Sequence, residues 1–317
     1  MALNLIQNSP VLKNNSLFQK YATYLYSIEF KVDPLLWIIL SILTAIIASI
    51  LTWYFVGNVV GLEQDVQLGL LVFLVALDGM LGYPYIKALQ RIDLIEEDLP
   101  DALRQMADTL RSGGTYEYAL REVANSEYGP LKKEMNEVLR KLEEGENFEN
   151  ALRTLTYNVD SKVVRRTVNI IIDSVAAGAG LATVLEEIAE DLRETHRISK
   201  ERKSRTVLQV IFMFTAGALI SPLIFGFVST ISNVLINAAA GAVSEAAQAD
   251  AKNSLGILEI SIQAYIFIET IATSIMISVM REGNASKSII YIPILLSIAY
   301  IAYLAAALIS GALVGVG

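Results

Sequence analysis

Hydrophobic residues follow two contrasting patterns along this chain. Five segments are almost continuously apolar and long enough to cross about 30 Å of hydrocarbon, which needs roughly 20 helical residues. They span residues 35–57, 66–86, 206–235, 255–280 and 288–313. Between the second and third segments, apolar residues instead recur every three or four positions, as on helices with one buried face. The pattern predicts an all-α, polytopic membrane protein with about five transmembrane helices and a soluble helical region.

The soluble region has the periodicity of a helical bundle. Turn signals at Gly113-Gly114-Thr115, Tyr128-Gly129-Pro130 and Gly145-Glu146-Asn147 separate its apolar stripes, and Asp98-Leu99-Pro100 is typical of a helix start. About six helices in this region predict a six-helix bundle with one core. The stripes expected to face that core are Leu99, Ala102, Leu103, Met106, Ala107 and Leu110; Leu131, Met135, Val138, Leu139 and Leu142; Val163, Val164, Val168, Ile171, Ile172 and Val175; and Leu181, Val184, Leu185, Ile188 and Leu192.

A short motif occurs three times within the bundle region. Each copy has a glycine followed, six and seven residues later, by an apolar pair: Gly113 with Ala119 and Leu120, Gly145 with Ala151 and Leu152, and Gly178 with Val184 and Leu185. Glycine suits the left-handed residue that follows a helix, and Thr or Asn suits the cap of the next one. We therefore interpret the motif mainly as a turn between helices.

Charge predicts the orientation of the chain. Residues 87–206 hold 19 of the 25 Lys and Arg and 23 of the 33 Asp and Glu side chains. Because short cytoplasmic loops are enriched in Lys and Arg, we place the N-terminus and the bundle in the cytoplasm and the C-terminus outside the plasma membrane. The predicted regions are a cytoplasmic N-terminal segment (1–33), two transmembrane helices (34–86), the cytoplasmic bundle (87–206), and three transmembrane helices (207–317) with an external loop near 236–254. The sequence leaves open whether this loop is a surface helix, a re-entrant segment or irregular.

Composition disfavours several classes of function. The chain has no cysteine, which excludes disulfides and thiolate ligands. Its one histidine, His196, cannot supply a histidine-based metal set. The net charge of −8, without a basic patch containing aromatic residues, argues against nucleic-acid binding. A phosphate-binding Gly-x4-Gly-Lys-Ser/Thr loop is absent. We predict a protein that is not an enzyme and has no cofactor, metal or catalytic residue.

Six basic residues precede the third apolar segment, and they have two interpretations. They are Arg193, Arg197, Lys200, Arg202, Lys203 and Arg205. The favoured interpretation is an anchor at the cytoplasmic face that contacts anionic lipid headgroups, at about 1 kcal/mol per residue. The alternative is a contact with an acidic face of a protein partner.

Three acidic residues, Asp78, Glu259 and Glu269, lie inside apolar segments. An ionised carboxylate near the centre of a span costs a few kcal/mol or more, so such residues pair with others or serve a function. For Asp78 and Glu259 we favour a neutral or hydrogen-bonded contact between helices. For Glu269, that interpretation and a functional contact, proton site or ion site remain equally open.

The third apolar segment has two further features. Gly217, Ser221, Gly226 and Ser229 predict close packing between helices, and Pro222 predicts a kink. The last bundle helix is expected to run from Leu181 through Arg205 directly into this segment, because no helix breaker lies between them.

The order of these motifs resembles the type II secretion F domain. Leu99-Pro100-Asp101-Ala102-Leu103 precedes Leu110-Arg111-Ser112-Gly113, and Gly129-Pro130-Leu131 lies between the first two glycine motifs. The resemblance covers residues 95–235, and the single domain with spans on both sides is similar to Tad-type and archaeal platform subunits. The third copy departs from the pattern, because Val184 replaces Ala and Gly180 is inserted.

The resemblance implies a platform subunit that couples a cytoplasmic hexameric ATPase to the extraction of pilin subunits and the assembly of a type IV pilus-like or secretion filament. The expected partners are this secretion ATPase, which the basic residues are candidates to contact, the pilins, the lipid bilayer, and a second copy or a similar subunit in a dimer. The alternative is a secondary transporter that uses Glu269 and Asp78, although five spans without an internal repeat disfavour it. An intramembrane aspartyl protease needs two membrane aspartates, and only Asp78 lies in a span.

Overall fold

The computed structural model describes residues 21, 24, 25, 33–55, 65–178, 180–239 and 244–314. These residues are almost entirely helical and contain no strand, which confirms the predicted all-α class. Five described helices are long and apolar enough to cross a membrane, as predicted. Most of the predicted N-terminal segment 1–33, most of the loop 58–65 and the chain end after Val314 lie outside the described residues.

The helices are α1 (Pro34–Phe55), α2 (Asp65–Arg111), α3 (Tyr116–Asn125), α4 (Gly129–Glu143), α5 (Phe148–Asn158), α6 (Lys162–Ala176), α7 (Leu181–Arg205), α8 (Val207–Phe214), α9 (Ser221–Ala239), α10 (Glu245–Glu282) and α11 (Tyr291–Val314). A π-helical segment, Thr215–Ile220, joins α8 to α9, and a 3-10 segment, Ala285–Ile290, precedes α11. The chain divides into two compact units. We call the part of the first unit that spans Tyr83–Glu201 the bundle unit, and the second unit, Leu35–Gly82 together with Arg202–Gly317, the membrane unit.

The bundle unit has one hydrophobic core, which the end of α2 shares with α3 to α7. Its largest fully buried side chains are Ile95, Leu99, Met106, Leu120, Leu131, Met135, Ile171 and Leu185. Six helical segments therefore form the bundle, as the apolar stripes predicted. Val175 is an exception, because it is 37% exposed in the last turn of α6, so that stripe ends before its helix does.

The predicted helix start at Asp98-Leu99-Pro100 is wrong. Helix α2 continues through both Pro84 and Pro100 and ends only at Arg111. A proline inside a helix removes one backbone hydrogen bond and costs about 3 kcal/mol. Burial of Leu99 and Leu103 on either side of Pro100 supplies the compensating packing, so tertiary contacts override the local start signal.

The entry into the third span also differs from the prediction. Helix α7 ends at Arg205, and Thr206 is a turn residue before α8, although the Thr206 amide still donates to the Arg202 carbonyl at 3.0 Å. The uninterrupted helix that we expected is therefore wrong by this one residue. Further along, the π-helical segment directly precedes Ser221-Pro222, and the Ser221 amide donates to Ala216, five residues back. Because proline has no amide proton, this wider turn re-pairs carbonyls that an α-helix would leave unbonded.

Part of the region 236–254, whose conformation the sequence left open, is helical. Helix α9 extends to Ala239, and α10 begins at Glu245, with the Ser244 side chain accepting a hydrogen bond from the Ala247 amide at 3.4 Å. The stretch from Glu245 onward is therefore the first part of the fourth span helix. Residues 240–243 lie outside the described residues.

Candidate functional site

The repeated glycines end helices of the bundle. Gly113, Gly145 and Gly178 have φ values of 89°, 91° and 84°, a left-handed conformation that favours glycine. After Gly113, the Gly114 amide donates to the Thr109 carbonyl at 3.0 Å. The Glu146 amide after Gly145 does the same to the Lys141 carbonyl at 3.0 Å. These are the bonds of a Schellman motif, which satisfies the last carbonyls of a helix.

The apolar pairs of the motif anchor the next helices. Thr115 and Asn147 cap α3 and α5 by accepting hydrogen bonds from the Tyr118 and Asn150 amides. The pairs then enter the core: Ala119, Leu120 and Ala151 are 0% exposed, Leu152 is 4% and Leu185 is 1% exposed. These positions build the bundle, and they offer no side chain to a partner.

The six basic residues divide into two groups. On the bundle unit, Arg193 binds Asp101 at 2.5 Å, and Arg197 binds Glu194 at 2.7 Å. The Arg197 side chain is 70% exposed despite this pair. The hydrogen bond from Arg197 lowers the pKa of Glu194 below its ordinary value, so the pair stays charged at neutral pH. Lys200 is exposed on the same helix.

The other basic residues belong to the membrane unit. Lys203 Nζ lies 2.8 Å from Glu282 Oε2, at the end of α10. The Arg202 guanidinium lies against Gly283, where a β-carbon would come within 2.9 Å of Arg202 Nη1. Arg205 is exposed. The sequence placed all six residues in one cluster because it could not show that Arg202 and Lys203 meet the far end of another span helix.

A groove between α6 and α7 is a further candidate surface that the sequence did not indicate. It encloses about 320 Å³ and mixes apolar with charged side chains. Ile170, Arg166, Asp191 and His196 are among its lining residues. His196 is half-buried there. Spacing alone does not reveal this groove, because its two walls are separate helices.

Two of the three acidic span residues bridge helices by hydrogen bonds. Glu269 Oε2 accepts from Ser221 Oγ at 2.7 Å, which joins α10 to the start of α9. Glu259 Oε1 accepts from Asn233 Nδ2 at 3.1 Å between the same helices. Asp78 differs, because its Oδ2 is buried and accepts no hydrogen bond from the described residues. The structure thus brings Glu259 and Glu269 into one helix pair.

These features define a multi-pass membrane protein. In the sequence, spans precede and follow a bundle of six helical segments. Residues 102–230 match the family model described as Type II secretion system (T2SS), protein F, which confirms the resemblance seen in the motifs. The matched range begins in α2, contains α3 to α8 and ends in α9. Over these residues the chain is therefore similar to protein F of the type II secretion system.

The chain is also similar to an uncharacterized protein of Methanocaldococcus jannaschii, MJ0779. The two are 25% identical over 233 residues, which cover 68% of this chain and 76% of the relative. No solved structure matches this chain. The family match thus carries the functional conclusion.

Proposed function

We propose that this protein is a platform subunit that couples a cytoplasmic hexameric ATPase to pilin extraction and filament assembly. The protein F domain at residues 102–230 carries this proposal. The bundle unit is the part of the chain that an ATPase in the cytoplasm would engage, and the membrane unit is the part that pilins in the bilayer would meet. The protein itself performs no catalysis in this mechanism, because the ATPase supplies the energy.

The exposed side of α7 is the proposed contact with the ATPase. Arg197 and Lys200 point two positive charges outward from consecutive turns, and Arg193 lies one turn before them. The Glu194 partner of Arg197 neutralises part of this charge. A surface pair of this kind contributes only about 0–1 kcal/mol, so an acidic partner surface can replace it at little cost.

A pull-down of the full-length protein in detergent with the secretion ATPase of the same cell tests this proposal. We expect specific binding, and we expect Arg197→Glu to weaken it. Arg121→Glu is a matched control, since Arg121 in α3 is also exposed and paired, to Glu143 of α4 at 3.0 Å. Loss in both variants would show a general charge effect. Absence of binding by the folded wild-type protein would contradict the coupling proposal.

The proposal also includes a pilin contact near Glu269 in the membrane unit. Glu269→Gln would then reduce filament assembly while leaving ATPase binding unchanged. Ser221→Ala removes the hydrogen bond to Glu269 but keeps the carboxylate. Comparing the two variants separates two roles of Glu269. If it only packs, both variants reduce filament assembly equally; if it contacts a pilin, Glu269→Gln reduces assembly more.

Assembly as a homodimer, or as a heterodimer with a similar platform subunit, completes the proposal. Native mass spectrometry of the full-length protein, released from detergent, gives its copy number directly. A monomer both alone and in the presence of the related subunit would contradict this part of the proposal.

A further inference from the structure

The corner at Glu282 and Gly283, where α10 ends, is surrounded by four cationic side chains. Lys203 Nζ lies 2.8 Å and Lys287 Nζ 3.6 Å from Glu282 Oε2, and Arg281 Nε lies 3.7 Å from Glu282 Oε1. The Arg202 guanidinium covers Gly283, as described above. Three positive groups therefore face the Glu282 carboxylate, and Arg202 adds a fourth beside Gly283.

The corner is a built structure and not a chance meeting of surface side chains. Gly283 has φ 69°, the left-handed conformation that ends α10. The fully buried Ser278 donates from Oγ to the Asn284 carbonyl at 2.6 Å. The side chains of Glu282 and Lys287 are only 13% and 16% exposed. Lys203 and Arg281 remain accessible, at 42% and 50% exposure.

The position of the corner suits a ligand at the membrane boundary. Arg202 and Lys203 lie just before the span that begins at Val207, and Glu282 ends the span of α10. Lys287 is the third residue of the last span, Ala285–Gly311. All these charged groups thus lie at or near the ends of apolar segments, where lipid headgroups are expected. Arginine binds phosphate oxygens through two parallel N–H groups, and lysine adds a point charge.

We propose that this corner binds the phosphate of an anionic phospholipid headgroup. The excess of three positive charges over Glu282 supplies the attraction, and the surrounding spans supply the contact with the acyl chains. Glu282 holds the lysines in place between binding events. This site is independent of the ATPase contact proposed on the bundle unit.

The test is lipid binding by the full-length protein in a neutral detergent, followed by native mass spectrometry. Phosphatidylglycerol, phosphatidylcholine and inorganic phosphate are titrated separately. We expect retention of phosphatidylglycerol over phosphatidylcholine and no displacement by phosphate. Each removed charge should weaken binding about fivefold, from roughly 1 kcal/mol per basic residue. Arg202→Gln and Lys203→Gln should each show this loss, and the double variant about 25-fold.

Arg121→Gln is the control, because Arg121 is an exposed, paired arginine in α3, bound to Glu143 at 3.0 Å, and belongs to neither proposed contact. It should leave lipid binding unchanged. Equal binding of the two lipids, displacement by inorganic phosphate, or an equal loss in the control would overturn the proposal. If Arg202→Gln and Lys203→Gln weakened binding of the ATPase but left binding of phosphatidylglycerol unchanged, the corner would be a protein contact. That result would also overturn the proposal. If a variant fails to fold, the comparison of the three ligands on the wild-type protein still decides.

Discussion

Glu134 is a buried carboxylate of the bundle unit. Its side chain is 5% exposed, is paired with Arg91, and accepts a hydrogen bond from Asn158 Nδ2 at 2.9 Å. Breaking a buried ion pair leaves the other charge without compensation, at a cost of about 3–5 kcal/mol. We therefore expect Glu134→Gln, which keeps the shape but removes the charge, to lower the free energy of unfolding by about 3 kcal/mol. Chemical denaturation of the full-length protein in detergent measures this loss.

Glu137 provides the matched control for this prediction. It lies one turn further along α4 and pairs with Arg140, and the two side chains are 35% and 52% exposed. Hydrogen bonding from Arg140 lowers the pKa of Glu137, so its small contribution to stability is present at neutral pH and is lost as the solution becomes acidic. Glu137→Gln should cost less than about 1 kcal/mol at neutral pH. Similar losses in the two variants would show that Glu134 is not the buried partner that the structure indicates.

The helix ends of the bundle depend on glycine for backbone reasons alone. A β-carbon on Gly145 would meet no atom within 4 Å, so space is not what selects this residue. Its φ of 91° is costly for other residues, by roughly 1–2 kcal/mol. We expect Gly145→Ala to destabilise the protein by about that amount, and Gly145→Asn by less, because asparagine tolerates this conformation better. Thermal unfolding of the wild type and the two variants distinguishes backbone strain from packing. If packing decided, the larger Asn side chain would be the more destabilising substitution.

Helices α9 and α11 of the membrane unit are in contact at Gly226. A β-carbon there would lie 2.5 Å from the Tyr303 carbonyl oxygen and 2.7 Å from Ala306 Cβ. Gly226→Ala must therefore push the helices apart, and overpacking of this kind costs about 1–3 kcal/mol. Gly256→Ala in α10 is the control, since no atom lies within 4 Å and alanine favours a helix by up to about 1 kcal/mol. Opposite shifts in melting temperature are expected, and equal shifts would contradict the close contact.

The limits of the sequence appear most clearly at the scale of helices. The apolar spacing predicted the bundle, because burying one face is what stabilises each helix. Local signals failed where packing or a single residue determined the course of a helix. Helix α2 continues through Pro100, and Thr206 interrupts the helix that was expected to be continuous. The pairing of Lys203 with Glu282 was not predictable either, because neither residue indicates which distant segment it meets.

The whole chain combines a charged bundle with nearly charge-free spans. Burial separates the glycine motifs, whose side chains lie in the core, from α7, whose charges face outward. Since buried motif residues cannot touch a partner, a variation in them acts through stability. The two proposed contacts use exposed charged residues instead: Arg197 and Lys200 for the ATPase, and the Glu282 corner for a lipid.

The orientation of the chain in the membrane can be tested because the sequence contains no cysteine. Single cysteines can be placed at Ser112, exposed at a turn of the bundle, and at Asn253, exposed in the first part of α10. We expect a membrane-impermeant maleimide to label Asn253→Cys in intact cells, and Ser112→Cys only after permeabilisation. Ser274→Cys is the control, because Ser274 is 0% exposed and should resist the reagent in both conditions. The reverse pattern would place the bundle outside the cell, away from any cytoplasmic ATPase, and would contradict the proposed coupling.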